Sequence, residues 1–233
     1  MKIKSLRILS GVIFFLGVIL GFAIAIISLW GKVEALNYFF RGASYAPFQG
    51  LKCPTLMTRS ETGVVSSEFD NPTDTEDNFY YKIEISNSVS PRIIKNQITV
   101  PAHQTKDVVF QVNKDDIDLQ FFVFVKITIS PTSSRPTRMA NCGIMVLNDQ
   151  MFKGKQIFAI VFTLSLLGII LGLNLWQRTS RAADSNISRL MLTLAIVVLL
   201  AMLAGIAGWW LVGTVLTAIT ILLFLISVRF AFA

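Results

Sequence analysis

The residue types that most often carry chemistry are sparse in this chain. Its single histidine, His103, stands four residues before Asp107. A carboxylate can orient an imidazole for general-base work, but a triad also needs a nucleophile, and no nucleophile motif accompanies the pair. Acids gather at Asp70, Asp74, Glu76 and Asp77, and again at Asp115, Asp116 and Asp118. Calcium takes oxygen ligands of this kind, yet neither set follows the EF-hand spacing, and acids in turns commonly stay solvated or cap local backbone. Haem ligation inside an apolar segment would most simply use a histidine, and His103 falls outside every such segment. The expectation is a chain with no catalytic, cofactor-binding or metal-binding residues, in which His103 is a solvated turn residue.

Two residue patterns remain. The chain's two cysteines, Cys53 and Cys142, bracket a region of alternating apolar residues. If that region is a sandwich, its terminal strands run close together and the cysteines can pair. Closing so long a loop would contribute on the order of 4 kcal/mol in the chain-entropy model and would require an oxidising compartment. Two buried thiols are the alternative. The other pattern is small residues four apart in apolar segments: Gly17 and Gly21, Gly168 and Gly172, Ala201 and Gly205. Such spacing exposes backbone for close helix contact, either within one bundle or between copies.

The elements that position these residues follow from charge and hydropathy. The hydrophobic fraction is 53% and the charged fraction 15%, both displaced from soluble averages toward membrane proteins. Residues 8–30, 157–176, 190–207 and 209–228 are apolar runs, each near the roughly 20 residues that span a bilayer as a helix. The first could also be a cleaved leader, because Ala23-Ile24-Ala25 resembles a cleavage site, but it is longer than a leader's apolar core and continues past that site. We therefore expect a retained anchor.

The net charge of +7 is unevenly placed. Residues 32–153 contain thirteen basic and thirteen acidic side chains. The excess comes from Lys2, Lys4, Arg7, Lys155, Arg178, Arg181, Arg189 and Arg229 against Asp184, all at the ends of apolar runs. This distribution argues against nucleic acid as a partner and sets an orientation by the positive-inside rule. The expected organisation is a cytoplasmic N-terminus and first helix in 1–30, an extracytoplasmic domain in 31–154, a second helix in 155–176, a basic cytoplasmic loop in 177–189 and a helical hairpin in 190–233 with a cytoplasmic end. Tyr38, Phe39, Phe40, Tyr45 and Phe48 suit a headgroup region or a linker packed on the domain, and Gly42, Pro47 and Gly50 argue against a long helix there.

Between the cysteines, strands are expected over 64–69, 79–86, 93–100, 105–112, 119–129 and 139–147. In the longest, Phe121, Val123, Val125, Ile127 and Ile129 share one face. Phe122 and Phe124 on the other face imply cover on both sides for half its length. Six or seven short strands at this spacing indicate an antiparallel two-sheet sandwich. The turn Asn71-Pro72-Thr73-Asp74 and the segment Ile98-Thr99-Val100-Pro101-Ala102-His103-Gln104-Thr105 resemble the bacterial Ig-like modules of adhesion-related type. In those a v-x-v-P-a-G-q-t turn joins two strands, and His103 stands where the pattern has glycine. The resemblance covers the middle of the chain; it implies an Ig-like fold and binding or scaffolding, without naming a ligand.

The fold class expected is thus a membrane protein of α plus β type: four transmembrane helices with an Ig-like antiparallel β-sandwich between helices 1 and 2. The function expected is that of a non-enzymatic membrane subunit. Its exterior domain would meet other membrane or cell-surface proteins in a homo- or hetero-oligomer, with the lipid bilayer as its other partner. A transporter or channel component is the alternative, and Asn174 with Thr163, Ser165, Thr193, Thr214, Thr217 and Thr220 is the polar material available for it. An exterior envelope-modifying enzyme is the remaining class.

Overall fold

A computed structural model of the chain describes residues 2–39, 46–131, 136–179 and 185–232. The fold divides into a helical unit, Met1–Leu29 with Gln156–Ala233, and a β-unit, Trp30–Lys155. Four helices are described: α1 (Lys2–Tyr38), α2 (Gly154–Thr179), α3 (Ser185–Ile206) and α4 (Trp210–Phe232). Each is long and apolar enough to cross a membrane. The β-unit follows the first of them, as expected.

Glycine decides the packing of the helical unit at one crossing. A Cβ on Gly17 would fall 2.6 Å from the Ile169 nitrogen, and one on Gly172 2.5 Å from the Phe14 nitrogen, so α1 and α2 touch backbone to backbone. Phe14, Ile169, Trp176, Leu194 and Val198 fill the core beside it. Hydroxyl and amide groups mostly bond within their own helix: Thr193 to the Arg189 carbonyl, Thr217 to Gly213, Thr220 to Leu216 and Asn174 to Ile170. Ser165 departs from that habit and donates across the crossing to the Gly17 carbonyl at 2.8 Å. Ser10, Ser28 and Ser227 must be added to the polar set expected from sequence, since all lie within helices. Between α3 and α4 the chain reverses at Gly208, whose φ of +74° is the left-handed conformation glycine adopts freely.

The β-unit is a two-sheet sandwich. Its strands are β1 (Ala46–Pro47), β2 (Leu51–Lys52), β3 (Leu56–Thr58), β4 (Gly63–Asp70), β5 (Asp77–Ile85), β6 (Arg92–Val100), β7 (Thr105–Val112), β8 (Phe122–Pro131) and β9 (Arg138–Leu147). The larger sheet runs β1-β9-β8-β5-β6, with β3 also on β9, and the smaller runs β2-β4-β7. Alternation along β4, β5 and β8 turns Val65, Phe69, Phe79, Ile83, Val123, Val125, Ile127 and Ile129 inward to one core, reached from the other strands by Phe110, Val112 and Ile144. Cys53, just after β2, and Cys142, in β9, form a disulfide whose Cα atoms are 6.5 Å apart, so the bond links the two sheets.

Four sequence expectations need correction. The sandwich is mixed rather than antiparallel, because β1 and β3 both pair with β9 in parallel; strands of two or three residues carry too little alternation to be seen in sequence. The helix does not end at Trp30. It continues to Tyr38, while Tyr38, Phe39 and Phe48 pack on the sheets, as the alternative of a linker packed on the domain anticipated; Phe40 and Tyr45 lie outside the described residues. The longest strand starts at Phe122, since Leu119 and Gln120 have φ of +48° and +69° and cannot extend it. The basic loop of 177–189 is shorter than expected, for residues 177–179 are helical in α2 and 185–189 in α3; Arg181 lies outside the described residues.

Candidate interaction surface

The larger sheet has an outer face, and the chain covers half of it. On that face β8 presents Phe122, Phe124, Lys126 and Thr128, while β9 presents Met145, Gly143, Asn141 and Met139 opposite them. The last two turns of α1 lie across these residues. A Cβ on Gly143 would sit 2.1 Å from the Gly31 carbonyl oxygen, so helix and strand backbones meet there. Lys32 Nζ donates to the Asn141 carbonyl at 2.5 Å. The Tyr38 ring stacks on Phe124 at 4.5 Å, and its hydroxyl donates to Asp118 Oδ2 at 2.7 Å. Ala35 and Phe39 complete a small core with Phe122 and Phe124. The two-sided cover anticipated for this strand is therefore supplied by the chain's own helix.

The other half is open. β5 presents Asn78, Tyr80, Lys82 and Glu84 outward, and β6 presents Thr99, Gln97, Lys95 and Ile93 beside them. Tyr80 is 52% exposed and Ile93 49%. A shallow groove of about 440 Å³ runs between Tyr80, Lys82, Lys95, Gln97, Thr128 and Ser130. β6 is the last strand of its sheet, and among the described residues no strand pairs with its free edge. The free edge of this nine-residue strand is a template for another strand, with the Gln97 amide donating to Asn96 Oδ1 at 2.8 Å and the Thr99 carbonyl accepting from Lys106 at 2.6 Å.

A charged trio marks the seam between the halves. Glu84 accepts from Lys126 on one side and Lys82 on the other. Lys126 is nearly covered and lies over the Phe39 ring at 5.0 Å, whereas Lys82 reaches the open groove. Burial pushes the Glu84 carboxyl up, but hydrogen bonds from Lys126 and Lys82, with their charges, outweigh it and hold the group below its ordinary value of 4.5.

The chemistry-bearing residues are dispersed. His103 has φ of +53°, which explains why the resembling pattern uses glycine there, and its Nε2 lies 2.8 Å from Asp74 Oδ1 rather than near Asp107. The two segments that carry the resemblance lie side by side. Buried Asn71 donates to the carbonyls of Thr75, Val100 and Pro101, and the His103 amide donates to the Thr73 carbonyl. Asp116 caps the short turn after Asn113 and receives Arg92 on both oxygens. Among the described residues no three His, Cys, Asp or Glu side chains gather where a metal ion could be held.

In the helical unit, Gly17 faces Gly168, Gly172 lies on Phe14, and Gly21 meets Ser165, Val198 and Met202. Ala201 is buried, and a Cβ on Gly205 would touch Ser28 at 3.0 Å. All six small residues thus lie against this chain's own helices. The sequence reading missed the covering helix end, for which the run Lys32-Val33-Glu34-Ala35-Leu36 of good helix formers was the available signal.

Fold and surface define a class: an α plus β chain with four long apolar helices, in which a disulfide-clasped β-sandwich follows the first helix. No family model and no curated protein matches it. Among solved structures, a cycloisomaltooligosaccharide glucanotransferase of Paenibacillus sp. is similar at 13% identity and a TM-score of 0.36, over 45% of this chain and 14% of that one. Red sea bream transglutaminase is similar at 14% identity and a TM-score of 0.34, over 51% of this chain and 19% of that one. The CARDB domain of a Pyrococcus furiosus protein is similar at 8% identity and a TM-score of 0.32, over 42% of this chain and 90% of that domain. Likenesses this partial carry no activity, ligand or metal over to this chain.

Proposed function

We propose that the chain is a non-enzymatic integral membrane subunit whose β-unit lies outside the cytoplasm and assembles with another protein through the open half of its larger sheet. The observation that carries this reading is the exposed nine-residue edge of β6 beside exposed Tyr80 and Ile93. A sheet that the protein's own helix covers on β8 and β9 and leaves bare on β5 and β6 offers backbone pairing and side-chain contact together. Four apolar helices with basic residues at Lys2, Lys4 and Arg7, at Arg178 and Arg189, and at Arg229 support a cytoplasmic side for both ends. The disulfide agrees with an oxidising exterior for the β-unit.

The test is purification of the full chain in mild detergent, with and without crosslinking, comparing wild type with Tyr80→Ala and Ile93→Asp. A second chain should accompany the wild type and be depleted in both variants. Recovery of a bare monomer from wild-type membranes would defeat the proposal, as would a partner that both variants retain.

A further inference from the structure

The β-unit joins the rest of the chain at Trp30 and at Lys155. Trp30 packs edge-on against Phe121 at 6.3 Å and Phe122 at 6.0 Å. Near the second joint, the Gly154 amide donates to Glu61 Oε1 at 2.8 Å, and a Cβ on Gly154 would lie 2.3 Å from the Leu56 carbonyl oxygen. Leu56 pairs with Met145, and Met145 pairs with Phe122. Both joints therefore meet where β8 begins.

At this end large apolar side chains stand outward on turns that hold them there. Leu119 and Gln120 are both left-handed, an uncommon conformation for leucine, and the turn is pinned on each side. Asp118 Oδ1 accepts from the Leu119 amide at 2.7 Å, and Arg59 donates to the Gln120 carbonyl at 2.9 Å. Asp149 Oδ1 accepts from the amides of Met151 and Phe152 and so fixes a second turn. Leu119, Phe121, Met151 and Phe152 are all exposed, Met151 to 87%. Holding large apolar side chains in water forgoes the gain of burying them, and four on two braced turns call for an apolar neighbour. Charged side chains of both signs surround them: Lys114, Asp115 and Asp118 on the first loop, Asp149 and Lys153 on the second, with Lys155 at the joint. Apolar side chains standing out beyond a charged rim, on loops next to an apolar run, suit the boundary between headgroups and acyl chains of a phospholipid interface. Continuity of the chain chooses lipid over protein as the neighbour, because the apolar run beginning at residue 157 starts two residues after Lys155.

We infer that the end of the β-unit bearing Leu119, Phe121, Met151 and Phe152 is seated in the headgroup region of a phospholipid bilayer. The inference rests on the membrane reading of the helices proposed above. It replaces the aromatic set expected from sequence with another: the interfacial residues are those on the two braced turns and Trp30, not Tyr38, Phe39 and Phe48.

Because both native cysteines are in the disulfide, a cysteine introduced singly into the full chain can carry a nitroxide label. In vesicles of neutral and anionic phospholipid, collision of the label with oxygen, which concentrates in lipid, is compared with collision with a water-soluble nickel chelate. Labels on Leu119→Cys and Met151→Cys should favour oxygen several-fold more than a label on Val109→Cys, which lies on the exposed face of β7. Nickel accessibility equal to that at Val109→Cys would overturn the inference. So would closure to both reagents, which would mean that protein covers the turns. A label on Leu222→Cys in α4 reports the helices separately. Exclusion of nickel there while the two turns remain open to it would sink the seating and leave the membrane reading standing; nickel access at Leu222→Cys would sink both.

Discussion

The two halves of the larger sheet's outer face, β8 with β9 and β5 with β6, belong to one sheet, yet one is covered and the other is not. The difference lies in the side chains. Over β8 and β9 the face offers Phe122, Phe124 and Gly143: two flat rings and a position without a Cβ, where a helix backbone can descend onto the strand. Over β5 and β6 it offers Tyr80, Lys82, Lys95 and Gln97, long polar side chains that keep a helix at a distance but can bond an incoming strand or loop. A sheet face is thus assigned to an internal or external neighbour residue by residue, and the Glu84 trio draws the line between them.

That contrast can be broken in graded steps. Replacing both cysteines by alanine frees β9 from the smaller sheet and should cost about 4 kcal/mol, seen as a lowered thermal midpoint that reductant no longer changes. Gly143→Val drives a branched side chain into the Gly31 carbonyl and should cost about 3 kcal/mol, with amide exchange rising over residues 30–38 while β5 and β6 keep their protection. Equal deprotection of both halves would mean that they are not independent.

The seam answers to pH. Glu84 is held below 4.5 in the folded chain, so its contribution is complete above that value and is lost as pH falls through the folded pKa. Glu84→Gln should therefore flatten the acid limb of the stability profile below about pH 4.5 and leave its alkaline side unchanged. Smallest in stability, within about 0.5 kcal/mol, should be Tyr80→Ala on the open half, even though it is expected to lose the partner.

Much of this face was readable in the sequence, because alternation survives wherever one side of a strand is buried. Val123, Val125, Ile127 and Ile129 turn inward as their parity requires, and Phe122 and Phe124 announced a second cover. What supplied the cover was hidden. The apolar run ends at Trp30, and Gly42, Pro47 and Gly50 argue against a long helix beyond it, but the helix passes through Gly31, where a missing side chain lets two backbones approach. Leu119 looked like the start of a strand because residue type does not encode its left-handed φ, which the hydrogen bonds around it impose. The open edge of β6 was illegible for another reason: sequence reports that a strand exists, while its place in the sheet depends on pairing with residues far along the chain.

The disulfide has one more consequence. Cys53 and Cys142 are 89 residues apart and enclose β3 to β8 in a covalent ring. A single proteolytic cut anywhere inside that ring opens it without separating the pieces. A nicked chain would therefore migrate as one molecule until reductant is added, and would carry all four helices with it.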